Sequence, residues 1–216
     1  MGEILHSRLM HHISALYVSH STSFINIKGL AILCDIVRQN KSLTTMNLSH
    51  NQIYGDGASM LAEAIKHSKS LACVDFSWSY IDDVGAATIA EAIAQSKSLT
   101  EVDLCGNRIG VVGASAIADA IKQSQSLAIV DLSYNSIGAV GASALAEAIK
   151  QSTSLTTLKL IRNSIGDKGA SAIAYAAQQN NSLTALVLRD NSIGDVGASA
   201  IAKAIKLNKS LTDVDL

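Results

Sequence analysis

The dipeptide Ser-Leu opens the same phrase at Ser42, Ser70, Ser98, Ser126, Ser154, Ser182 and Ser210, with 28 residues between openings and no insertion. The idealised unit reads SLTxLxLSxNxIGDxGASAIAxAIKxNK, and a degenerate copy, INIKGLAILCDIVRQNK over residues 25–41, places Gly29 and a helix in the same phase. A unit this short cannot bury its own apolar face. It must stack on the next copy, so the period dictates a chain of like elements with contacts between neighbours.

Each unit holds two periodicities. In SLTTLKL (154–160) apolar residues alternate with others, as in a short strand with one buried face. In GASAIAYAAQQNN (169–181) and its equivalents Ile or Leu recurs at helical spacing among alanines, as in a helix with one buried stripe. Asp83, Asp167 and Asp195 stand where an N-cap acceptor belongs, and Gly113, Gly141, Gly169 and Gly197 recur where close helix-to-sheet packing favours glycine. The predicted fold is α/β: stacked copies whose strands form a parallel sheet and whose helices form an outer layer.

Residues 1–20 depart from the period, and Ile4, Leu5, Leu9, Ile13 and Leu16 trace one helical face, predicting an N-terminal capping segment. The repeat domain then occupies 21–216: a degenerate first repeat, six full repeats starting at 42, 70, 98, 126, 154 and 182, and a partial one at 210. Its last phrase, SLTDVDL, ends after the strand, so Leu211, Val214 and Leu216 are expected to be frayed or covered by another chain.

Aromatic residues make up 4% of the 216 residues against 48% hydrophobic, so Leu, Ile, Val and Ala must build the core. A formal net charge of −1 gives no general attraction for nucleic-acid backbones or anionic membranes. No apolar run approaches the roughly 18 residues of a membrane span, and the first residues lack a signal-peptide apolar block. Cys34, Cys73 and Cys105 lack metal-ligand spacing and read as reduced thiols of a cytoplasm, whether of the producing cell or of a host cell that an exported protein has entered. Cys73 and Cys105 are offset along adjacent strands, beyond disulfide reach.

The Leu-x-x-Leu-x-Leu-x-x-Asn phrase, as in Leu155, Leu158, Leu160 and Asn163, resembles the leucine-rich repeat over residues 14 to 216. The repeat length and full helix are similar to the ribonuclease-inhibitor class, which includes repeats of cytosolic immune receptors and GTPase-activating proteins. The alanine-rich, uniform copies also resemble leucine-rich-repeat effectors that intracellular bacteria inject into host cells. The resemblance implies an α/β leucine-rich-repeat solenoid, a horseshoe with its parallel sheet on the concave face and its helices on the convex face, that captures another protein on the concave side.

Counting each unit from its Ser, positions two, five and seven face the core, and positions four, six and eight face the concave surface. Position six reads Asn47, Asp75, Asp103, Asp131, Lys159, Val187 and Asp215, and position four adds Glu101. Three aspartates in register repel one another and are expected to stabilise nothing in the free protein. Lys159, Arg162 and Arg189 make the far side basic. Position nine reads His50, Trp78, Gly106, Tyr134, Arg162 and Asp190. Trp78 and Tyr134, two strands or roughly 10 Å apart across Gly106, are expected to wall a notch, with Tyr80 beside it. Position ten is Asn in most units but Ser79 here, where the turn ladder is expected to lose a bond.

Catalytic chemistry is poorly served. Carboxylates near Cys105 disfavour its thiolate, and His50 is too distant for a thiol–imidazole pair. Asp75, Asp103 and Asp131 would make a loose cation cage, while His6, His11 and His12 suit a solvated helix better than a metal site.

The sequence therefore predicts a non-catalytic binder without cofactor, metal or small-molecule substrate. It would inhibit or regulate a partner protein bearing a basic patch, using Trp78, Tyr80, Tyr134, Asp75, Asp103, Asp131 and Glu101 with Lys159, Arg162 and Arg189. The alternatives are a GTPase-activating protein of like architecture, or the sensing or targeting part of a larger chain.

Overall fold

Alternation over phrases such as TLKL produces strands only three residues long, and each finds its partner one repeat away. A computed structural model describes residues 13–19 and 25–216. The strands are β1 (Ala15–Tyr17), β2 (Thr45–Asn47), β3 (Cys73–Asp75), β4 (Glu101–Asp103), β5 (Ile129–Asp131), β6 (Thr157–Lys159), β7 (Ala185–Val187) and β8 (Asp213–Asp215). They form one open parallel sheet in sequence order. Equivalent positions pair, so Asp75 stands beside Asp103 and Asp103 beside Asp131.

The helices among the described residues are α1 (Ile27–Gln39), α2 (Tyr54–His67), α3 (Asp83–Gln95), α4 (Val111–Gln123), α5 (Gly138–Gln151), α6 (Gly166–Gln179) and α7 (Asp195–Leu207). The five central helices bury a stripe at i, i+3, i+4 and i+7, as Ala114, Ile117, Ala118 and Ile121 do in α4, while α1 and α7 bury only i, i+4 and i+7, as Leu30, Cys34 and Val37 do in α1. Positions two, five and seven close the core from the sheet side; Leu99, Val102 and Leu104 are all buried. One apolar cluster runs from Leu30 to Ala204. Strands repeat about every 4.8 Å and packed helices about every 8–10 Å. Stacking therefore curves the chain toward the sheet, which becomes the concave face.

Three local expectations change. Leu16 does not lie on a helical face: it sits in β1 and pairs with Met46. The sheet thus begins inside the segment read as a cap, because pairing with the edge of β2 outweighs a local helical pattern. Ile13 precedes that strand, and Ile4, Leu5 and Leu9 lie outside the described residues. The recurrent glycines answer to neighbouring helices and turn isoleucines rather than to the sheet. A Cβ on Gly113 would come within 2.9 Å of Ile109 Cγ2 and 3.0 Å of Ala86 Cβ in α3.

The third change concerns the aspartates. Asp83 does not cap its own helix; Asp82 does, accepting from Gly85 N–H. Asp83 Oδ1 accepts instead from the N–H groups of Gly110 and Gly113 at 2.7 and 2.8 Å, capping α4 one repeat on. Asp167 does the same for α7 through Gly194 and Gly197. Where no such aspartate precedes, as at Gly138 and Gly166, the backbone turns to positive φ and donates to the next Asn carbonyl. Asp195 lies in the first turn of α7.

The terminal phrase forms a strand, β8 pairing with β7 through Asp213, Val214 and Asp215, and Leu216 beyond it is exposed, open to the expected cover by another chain.

Candidate protein-binding surface

At position nine the chain leaves the sheet. Every residue of that row adopts positive φ: His50, Trp78, Tyr134, Arg162 and Asp190 at 53–59°, and Gly106 at 67°. A bulky side chain rarely adopts this conformation, which costs on the order of 1 kcal/mol outside glycine. The row is held by backbone bonds that extend the ladder past the strands: Trp78 N–H donates to Cys105 O, and Gly106 N–H to Ser133 O, both at 2.8 Å. The left-handed turn leaves Trp78 44% exposed and Tyr134 38% exposed.

The notch predicted between Trp78 and Tyr134 is closed. Their ring centroids are 5.7 Å apart at a tilt of 46°, and the indole lies so close over Gly106 that a Cβ there would overlap Cδ2, Cε2 and Cε3. A side chain that large, freed of a neighbour, leans into the vacancy rather than framing it. His50 lies parallel to the indole on the other side, centroids 6.0 Å apart. Tyr80 is not beside Trp78 in this stack: it packs on Tyr54 at 5.6 Å, with the Arg108 guanidinium 4.7 Å above its ring. His50, Tyr54 and Arg108 were not among the predicted site residues. Only His50, already in the position-nine row, had a sequence signal.

The aspartate row has a structural task that its repulsion concealed. Asp75, Asp103 and Asp131 each accept the N–H two residues on, from Ser77, Cys105 and Ser133 at 2.8–2.9 Å. Asn47 does likewise for Ser49 and donates to Asp75. These side chains therefore fasten the end of each strand. Asp103 bears the cost of sitting mid-row: burial, then the charges of Asp131 and Asp75, push its carboxyl up to about 6 despite the Cys105 N–H. The Cys105 thiol is pushed up to about 12, by burial first and then by the same aspartates. Cys73 is raised by burial and by Glu101, whose Oε2 accepts from its Sγ at 3.6 Å. All three cysteines are free.

The predicted basic side is neutralised. Lys159 faces Asp131 at 3.5 Å, Arg162 donates to Asp190 at 2.9 Å, and Arg189 faces Asp215 at 3.5 Å. Asp75, Glu101 and Asp103 make no ion pair among the described residues. One ligand atom each of Asp103, Cys105 and Asp131 falls within 4.8 Å, a different trio from the three aspartates. A thiol held protonated is a poor metal ligand.

Ser79 weakens the turn less than expected. Elsewhere an Asn spans two repeats: Asn107 Nδ2 donates to Phe76 O and Leu104 O, while its Oδ1 accepts from Ser79 and Ile81. The buried Ser79 hydroxyl reaches Leu48 O and Ser77 O. Its main-chain carbonyl takes over as acceptor for Ile53 N–H at 3.1 Å.

A family model described as Leucine Rich repeat matches residues 39–62, 95–118, 123–146, 151–174 and 179–202. The unit carrying Trp78, Ser79 and Tyr80 falls between the matched segments. Among solved structures, the chain is similar to leiomodin-1 actin-binding site 2, at 17% identity and a TM-score of 0.57 over 85% of this chain and 90% of that one. It is also similar to the tropomodulin C-terminal domain of Caenorhabditis elegans, at 15% identity and a TM-score of 0.56 over 83% and 92%. At these identities the likeness is one of fold. No curated protein matches the sequence.

Proposed function

The chain belongs to the leucine-rich-repeat family, and on that premise we propose that it is a non-catalytic scaffold capturing a partner protein on its concave face. Bound there, it covers the partner's active or docking surface and so inhibits or regulates it. The observation that carries this reading is the pairing of exposed, conformationally strained aromatics, Trp78 and Tyr134, with carboxylates of Asp75, Glu101 and Asp103 that make no ion pair among the described residues. Exposed Trp and Tyr concentrate binding energy, and uncompensated carboxylates favour a basic partner surface. Tyr80 extends the aromatic area, while Asp131, Lys159, Arg162 and Arg189 border it as existing ion pairs. Thiols held protonated at Cys73 and Cys105 favour binding over nucleophilic chemistry. Free cysteines suit a cytoplasm, either the producing cell's or that of a host receiving the protein as an effector.

The test is capture from cytoplasmic extract by wild type, Trp78→Ala, Asp103→Lys and Lys150→Ala side by side. A partner retained by wild type and Lys150→Ala but lost by the two concave-face variants supports the reading. A partner lost only by Lys150→Ala moves the site to the helices.

A further inference from the structure

The loops that lead from each helix to the next strand enclose cavities between neighbouring repeats, and two of these match residue for residue. One, about 420 Å³, lies between the α2–β3 and α3–β4 loops; the other, about 310 Å³, lies between the α5–β6 and α6–β7 loops. Every residue lining the first has a counterpart in the second, three repeats further on, as Lys150 is to Lys66. The fold supplies the cavity, and the sequence sets its charge. Lys66, Lys69 and Lys97 line the first, where the second has Lys150, Thr153 and Asn181. No carboxylate lines the cationic cavity, and its three lysines make no ion pair among the described residues. Carbonyls at the ends of α2 and α3, which would oppose an anion, already accept from the N–H groups of Ser68 and Ser96. The hydroxyls of Ser68 and Ser96 accept from Leu71 and Leu99 N–H, so each can still donate its own hydrogen into the cavity they line.

We propose that the cavity between Ser68 and Ser96 binds a phosphoryl group, carried by a phosphorylated protein segment or by a free polyphosphate. Three ammonium groups gathered at one cavity repel one another until a ligand of more than one negative charge sits among them. A phosphoryl group brings such a charge on three strong acceptor oxygens, which several ammonium and hydroxyl donors can meet at once. A carboxylate brings a single charge and offsets only part of the repulsion. The cavity lies outside the concave row of aromatics and aspartates, so the inference does not depend on the protein-binding reading.

The full chain is titrated by calorimetry with pyrophosphate, with a short phosphoserine peptide and its unphosphorylated form, and with acetate. At about 0.1 M salt, charges further apart than roughly 10 Å are screened. Pyrophosphate, the phosphopeptide or both are expected to bind at one site, with acetate and the unphosphorylated peptide at least about tenfold weaker. Lys69→Glu and Lys97→Glu, both at exposed positions, should each weaken that binding by about tenfold or more. Lys150→Glu changes the net charge equally but lies three repeats away, roughly 24–30 Å at helix spacing, and should leave the affinity within about twofold. Binding of the phosphopeptide alone supports a modified protein as the source, and binding of pyrophosphate alone a free polyphosphate. No saturable binding of either probe, equal binding of acetate, or an equal loss in Lys150→Glu overturns the site.

Discussion

The indole of Trp78 lies on the backbone of Gly106, in the space that a side chain one repeat on would occupy. Gly106→Ala therefore meets two obstacles: a Cβ that overlaps the indole, and a φ of +67° that an L side chain adopts at a cost. We expect a shift in Trp78 emission and a loss of about 1–3 kcal/mol in urea unfolding. An unchanged emission spectrum would show that the indole does not rest there.

Asp83 and Asp167 hold helices they do not belong to. Replacing either with Ala should cost about 1 kcal/mol, as for loss of a helix cap. Hydrogen exchange should accelerate at Gly110 and Gly113 for Asp83→Ala, and at Gly194 and Gly197 for Asp167→Ala. Protection lost inside the mutated helix instead would count against capping between repeats.

Asp103 titrates near 6 in the folded chain and near the ordinary 3.8 when unfolded. Between those values the folded protein holds a proton that the unfolded chain has released. This group's contribution to stability is thus present below about 4 and is lost as pH rises to about 6. Asp103→Asn should flatten that part of the stability profile, measured by denaturant midpoints from pH 4 to 7.

Thiol reactivity offers an independent measure of the same row. With the Cys105 thiol raised to about 12 and that of the buried Cys34 to about 11, alkylation at pH 8 should be slow in the native protein and fast for all three cysteines after denaturation. Rapid native labelling of Cys105 would contradict its enclosed, acidic surroundings.

For a captured partner, Trp78→Ala should weaken binding by about 2 kcal/mol or more, chiefly through faster dissociation. Charge reversal at Asp103 should slow association and lessen its salt dependence, and Lys150→Ala on the helix layer should do little. Surface-binding kinetics on the three variants separates these effects.

The sequence by itself determined the period, the order of strand and helix, and the inward facing of positions such as Leu99, Val102 and Leu104. These depend on spacing within one unit, and every copy repeats the information. It also marked Trp78 and the aspartate row as departures from pure scaffold. Tertiary structure decided most of what those departures do, because apart from the local bonds by which Asp75, Asp103 and Asp131 accept the N–H two residues on, the deciding contacts join residues about one repeat apart or more. The row position of Trp78 did not say that its ring would lean over Gly106 and close the gap to Tyr134. The place of Asp83 at a helix start did not say that its carboxylate would reach the following helix. The charges of Lys159 and Arg162 did not reveal that each would meet an aspartate. Side-chain direction across stacked repeats, and the burial that raises Asp103, arise only when the copies are laid side by side.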